Sequence, residues 1–310
     1  YMRPTALIYS SHDRCEYIHR DLIVERALQS WDNKTLMHLP MSQKTQGSQE
    51  WDFGNFRWYY EKYRQYGLDF FPFYWNDNLR REDVDLFFHM LWHTQVVVLG
   101  GGNSSLGLRR YKELGQLYYN DGDLFERILH ERQDRGLLTV GFSAGADQLC
   151  EYLSSSIDYD LEDPYGFGLA RNIVTTLHHE PGREESIYNL ARNLTHCMAI
   201  GLPNDSGIGV DQGFLESGNI WQIIWFIEDC SWNVPAHQWH IKTRQGVKIL
   251  SYYPDGRSWS FNGGDMVVRI MPPDNSWQNI TVVTNQGDFI DYWTQRRSQY
   301  SSIEEIFYLH

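Results

Sequence analysis

The sequence predicts an α/β fold: a doubly wound, mostly parallel sheet flanked by helices, followed by a β-rich aromatic C-terminal extension. Two observations carry that expectation. From Thr5 to about Pro203, short apolar runs alternate with longer segments of helical pattern, and several runs lack the polar alternation of a half-exposed strand. That is the mark of a parallel sheet covered by helices on both faces. After about Gly218 the texture changes, and tryptophans are interleaved with turn signals.

In chain order, the runs expected to be strands are Ala6-Tyr9, Thr35-Leu39, Leu68-Tyr74, Val96-Leu99, Leu137-Val140, Ile173-Leu177 and Met198-Leu202. Each is short and rich in Val, Ile, Leu or aromatic residues, as strands are. In the C-terminal part, Trp221, Trp225, Trp232, Trp239, Trp259 and Trp277 surround the turn signals Pro254-Asp255-Gly256 and Asn262-Gly263-Gly264. The segments His240-Tyr253, Ser258-Phe261 and Met266-Met271 read as hairpin strands. The chain therefore divides into residues 1–218, an α/β domain, and residues 219–310, an extension packed on it, since no low-complexity linker separates them. The aromatics of the extension read first as core and packing surface.

Composition narrows the class. The 310 residues are 42% hydrophobic and 15% aromatic, enough for a large core, and carry 27 basic against 40 acidic groups for a net charge of -13. An acidic chain with no Lys/Arg run repels phosphate backbones and anionic membranes, so neither nucleic acid nor membrane is an expected partner. Cys15, Cys150, Cys197 and Cys230 are dispersed without a Cys-x-x-Cys pair, which suggests reduced thiols in a cytoplasmic protein and no metal site. No apolar run reaches membrane-spanning length, and Tyr1 to Ser10 does not read as a signal peptide.

The chemistry is signalled by Gly141-Phe142-Ser143-Ala144-Gly145, directly after an apolar strand and before the helix-compatible stretch Ala146 to Leu153. Strand, tight turn and helix around Gly-x-Ser-x-Gly is the context of a nucleophile elbow, with small neighbours relieving the strain at the serine. The bare pattern recurs by chance, but a second feature supports it. Gly100-Gly101-Gly102-Asn103 follows the strand Val96-Leu99, and amides of Gly101 or Gly102 together with that of Ala144 could form an oxyanion hole. Read alone, the glycines also suit an ordinary tight turn, whereas a phosphate loop would want Gly-Lys-Ser/Thr or Gly-x-Gly-x-x-Gly.

Together these motifs resemble the peptidase E and cyanophycinase superfamily, whose scaffold is akin to that of class I glutamine amidotransferases. Asp163-Pro164-Tyr165-Gly166-Phe167 and Ile200-Gly201-Leu202-Pro203 are similar to two further peptidase E segments. The resemblance spans roughly Thr5 to Gly218 and makes residues 1–218 the hydrolase domain. It implies a serine peptidase acting on short peptides, Asp-X dipeptides above all, with no metal or organic cofactor required.

A serine hydroxyl needs a histidine base, and the base needs an orienting partner. The candidates for the base are His178 and His179, at the end of the strand Ile173-Leu177; spacing from Asp163 inclines the choice to His179. The resemblance points to Asp158 as the acid, with Asp160 and Asp163 as substitutes in the same acidic loop. In cyanophycinases the acid is a glutamate, and Gln212 at the nearest matching pattern counts against that variant. An aspartyl substrate calls for a guanidinium, and Arg171 and Arg183 flank the histidine strand; Asn103 is a further substrate-binding candidate. Two alternatives remain open: a specialised peptidase for a longer peptide, and an inactive peptide-binding relative. Exposed strands in the extension leave a homodimer open.

Overall fold

The computed structural model describes residues 2–11, 17–156, 163–229 and 242–310. Its first half is the expected alternation: β1 (Ala6–Tyr9), α1 (Glu25–Leu28), β2 (Thr35–Leu39), α2 (Gln46–Glu61), β3 (Asp69–Pro72), α3 (Arg81–His93), β4 (Val96–Leu99), α4 (Ser104–Tyr119), α5 (Leu124–Asp134), β5 (Leu138–Phe142) and α6 (Ala144–Leu149). These strands lie parallel in the order β1-β5-β4-β2-β3. Alternation along β1 feeds two cores. Ala6 and Ile8 join residues of α3, α4, α5 and α6, while Leu7 and Tyr9 join Phe53, Phe56, Tyr59 and Tyr60 of α2 on the other face. Helices on both faces explain why these strands are apolar throughout.

The second half is built differently. After β6 (Ile173–Leu177), α7 (Glu184–Asn193) and β7 (Met198–Leu202) come β8 (Ser206–Phe214), β9 (Ile220–Glu228), β10 (Ile249–Tyr252), β11 (Ser258–Phe261), β12 (Met266–Met271), β13 (Asn279–Val283), β14 (Phe289–Asp291) and α8 (Ile303–Leu309). The free edge of β1 is taken by β8 running antiparallel, Ala6 opposite Val210. The large sheet then continues antiparallel through β9, β12, β13 and β14, giving ten strands among the described residues. It is parallel over half its width, less than the mostly parallel sheet expected.

With β8 on that edge, β6 and β7 lie outside the large sheet, which the sequence pattern had suggested they would join. They pair parallel with one another and form a second sheet in the order β11-β10-β7-β6. The extension thus supplies strands to both sheets, and its aromatics pack between them: Phe226 of β9 stacks on Phe261 of β11 at 3.8 Å, and Tyr253 on Tyr292 at 4.3 Å. Trp232, Trp239 and the start of the His240-Tyr253 segment lie outside the described residues. Helix α6 is buried at every residue and packs against β1, β4 and β5 of the large sheet and β6 of the small one. No helix among the described residues is long and apolar enough to cross a membrane.

Candidate active site

The carboxyl ends of β1, β2, β4 and β5 converge on one edge of the large sheet, where ligands of open α/β sheets bind. At that edge Ser143 connects β5 to α6 with φ 52° and ψ −110°, a conformation that non-glycine residues adopt only under constraint. The constraint is visible. Ser143 donates its amide to the Tyr9 carbonyl at 3.0 Å, and the glycines on either side allow backbones to touch. A Cβ on Gly141 would lie 2.3 Å from the Gly145 carbonyl, and one on Gly145 would lie 2.1 Å from that of Leu99. The Gly-x-Ser-x-Gly spacing is therefore a packing requirement of this turn.

Ser143 Oγ lies 3.1 Å from Nε2 of His178, and Nδ1 of His178 lies 2.6 Å from Oδ1 of Asn204. His178 has φ 56° just past the end of β6. Its amide donates to Ser10 Oγ at 2.8 Å, and that hydroxyl donates to the Leu202 carbonyl at 3.1 Å. Ser10, at the end of β1, thereby ties the histidine to both sheets.

His178, and not the favoured His179, faces the serine. His178 stands in the left-handed region just past β6, and it is its ring, not that of His179, that reaches Ser143 Oγ. His179 donates its amide to Leu202, and its ring, 3% exposed, packs against Gly201 of β7. Burial holds that ring below the ordinary histidine pKa and so neutral.

Next to Ser143, Gly101 comes so near that a Cβ on it would be 3.7 Å from the serine Cβ. The amides of Gly101, Gly102 and Ala144 have no hydrogen-bond acceptor among the described residues. That of Gly100, by contrast, donates to Leu39 in the sheet. Unengaged amides beside a hydroxyl hydrogen-bonded to an imidazole can hold a negative oxygen while the imidazole carries a proton.

No family model matches the chain. Curated proteins named peptidase E do. That of Salmonella arizonae is 29% identical over 131 residues, 39% of this chain and 53% of the relative, and that of Salmonella typhimurium is 28% identical over 130 residues, 38% and 53%. The chain is a peptidase E-like relative. It spans about half the length of the curated peptidase E proteins it matches. A solved structure of a peptidase from an acI-B1 Actinobacterium aligns with a TM-score of 0.49 at 13% identity, over 83% of this chain and 96% of that one.

The remaining residues expected from peptidase E fall in different places. Asp158 and Asp160 lie outside the described residues. Asp163 pairs with Lys112 and caps Tyr165, away from His178. Arg171 is at the opposite end of β6 from His178, seven residues and roughly 20 Å of strand away, so it cannot meet a substrate held at Ser143. It lines a cavity of about 590 Å³ with Glu126, Glu151, Gln133, Gln212 and Phe214 at the amino ends of the strands. Gln212 itself is spent in that layer, accepting from Arg171 N and Gln222 Nε2. Arg183 is 59% exposed and 3.6 Å from Glu180. Asn103 uses its side-chain oxygen to cap α4 through the Leu106 amide.

Asn204 and Ser10 were not singled out in the sequence. The signal for Asn204 was the pairing of the two strand ends: Leu177 sits opposite Leu202, so the residue two past Leu202 is within reach of the residue one past Leu177. Ser10 carried no comparable sign, because its role depends on a contact between sheets.

Proposed function

We propose that this chain is a serine peptidase in which Ser143 is the nucleophile, His178 the general base and Asn204 the residue that orients the base. The observation that supports it most is the continuous hydrogen-bonded relay from Ser143 Oγ through the ring of His178 to Asn204 Oδ1. An amide oxygen can only accept, so the ring proton is held on Nδ1 and the Nε2 lone pair faces the hydroxyl. The serine proton passes to Nε2 as Oγ attacks the peptide carbonyl. The developing oxyanion is received by the amides of Ala144 and of Gly101 or Gly102, and the proton is then delivered to the leaving amine.

An asparagine partner fixes the tautomer as a carboxylate would, but as a neutral group it stabilises the imidazolium less. Papain-like enzymes use asparagine with a cysteine nucleophile; here the harder task of activating a hydroxyl falls to the same pairing. Short peptides, Asp-X dipeptides in particular, are the proposed substrates on the similarity to peptidase E. Release of aspartate from Asp-Leu by purified protein, abolished in Ser143→Ala, is the expected result. Labelling of Ser143 by an aryl phosphonate without dipeptide cleavage would keep the nucleophile and reject the substrate. No labelling and no cleavage would leave a peptide-binding relative.

A further inference from the structure

We propose that Gln43 is the positioning residue of the oxyanion hole: its side chain locks the plane of the Gly101–Gly102 peptide. The inference rests on the hydrolase reading above. Gln43 Nε2 donates to the Gly101 carbonyl at 3.0 Å. In a trans peptide the carbonyl and the following N–H point in opposite directions, so holding this oxygen against Gln43 aims the Gly102 amide away from Gln43. Neither flanking residue has a Cβ, so the peptide plane is free to turn over at small cost unless something holds the oxygen. Gly102, at φ 131°, is already in a region open essentially to glycine alone.

The lock is itself held. The Gln43 amide donates to Pro40 at 3.1 Å. Arg110 of α4 donates to the carbonyls of Met41 at 2.9 Å, Gln43 at 2.6 Å and Lys44 at 2.9 Å, committing its guanidinium to this loop. The Ser42 carbonyl accepts from the Asn103 amide at 2.9 Å and stands where a Cβ on Gly102 would lie only 2.3 Å away. Gln148, one turn into α6, donates to Ser42 Oγ at 2.8 Å. The loop of residues 40–45 is thus clamped to the glycine loop on one side and to the helix behind Ser143 on the other. Gln43 is its one side chain bonded to the glycine-loop backbone among the described residues.

Two variants separate this role from a substrate contact. Gln43→Ala removes the lock, and Gln43→Glu reverses it, because a carboxylate repels the Gly101 carbonyl and accepts the Gly102 amide. With a donor lost from the oxyanion site, kcat falls by about 10-fold in the alanine variant and ~100-fold in the glutamate variant, while KM stays within about twofold. A raised KM with unchanged kcat, or full activity in both variants, overturns the proposal. Crystal structures of wild type and Gln43→Glu read the same point without activity: the Gly101 carbonyl turned away from residue 43 in the variant supports the lock, and an unchanged plane overturns it. If wild-type protein neither cleaves peptides nor reacts with phosphonate, the hydrolase reading fails, and the two crystal structures still decide whether Gln43 sets the peptide plane.

Discussion

Asn204 Oδ1 stands 2.6 Å from His178 Nδ1, with the opposite ring nitrogen 3.1 Å from Ser143 Oγ. The three residues come from three places: Ser143 follows β5 of the large sheet, His178 follows β6 of the small sheet, and Asn204 lies in the turn from β7 to β8 that joins them. The relay therefore exists only while the two sheets keep their registration.

Replacing Asn204 tests what the amide does. Asn204→Ala frees the imidazole to take the other tautomer, and kcat is expected to fall by about 100-fold or more. Asn204→Asp adds a negative charge at the same site and favours the imidazolium, so the acidic limb of the kcat/KM profile moves to higher pH by about one unit. A pH–rate series on the three proteins measures both. Superimposable profiles for wild type and Asn204→Asp would show that residue 204 does not govern the base.

Ser143 should trade stability for position. Its φ of 52° with ψ −110° costs a non-glycine residue on the order of 1–3 kcal/mol, while glycine brings an unfolded-state entropy cost of up to about 1 kcal/mol. Ser143→Gly is therefore expected to be inactive yet more stable than wild type by about 1 kcal/mol in urea denaturation. A loss of stability in that variant would mean that the turn imposes no strain on the serine.

What the sequence disclosed depended on local pattern. The five parallel strands and the glycine–serine turn are specified by runs and spacings within a few residues, and the structure has them where the pattern put them. The division of β6 and β7 into a second sheet depends on β8 claiming the edge of β1, a contact between residues about 200 positions apart that no local pattern carries. The same limit separates His178 from His179. Which of the two faces Ser143 turns on the left-handed backbone of His178 after Leu177, and that has no signature in a His-His dipeptide.

Asp147 gives a pH test of the helix behind the serine. Burial raises its carboxyl to about 6, against the opposing Ser154 amide and the hydroxyls of Ser104 and Ser154. Its folded value lies above the unfolded one. Its stabilising contribution is therefore complete below about pH 4 and is lost as pH rises through about 6. Asp147→Asn cannot ionise. Its stability relative to wild type should increase on the order of 1–3 kcal/mol between pH 4 and pH 8. Urea unfolding of both proteins at both pH values reads this double difference, and a pH-independent difference would place the carboxylate in contact with solvent.

Arg269 of β12 links the large sheet to the residues just before β6 of the small one. Fully buried, it donates to the carbonyls of Arg171 at 3.2 Å and Asn172 at 3.1 Å, just before β6, and to Gln222 Oε1 at 2.7 Å and Gln278 Oε1 at 3.0 Å. Burial pulls its guanidinium down to about 10, so it remains charged at neutral pH. Arg269→Met would leave these acceptors buried without their donor, and the expected loss is about 3–5 kcal/mol. Arg269→Lys should recover only part of it, since an ammonium cannot span the same fork of acceptors. Because His178 is carried by the small sheet and Ser143 by the large one, both variants should also lose kcat below their unfolding temperature. Thermal unfolding and kcat measured together make the test. A variant with unchanged stability, or one destabilised with kcat intact, would show that the sheets hold their registration without this arginine.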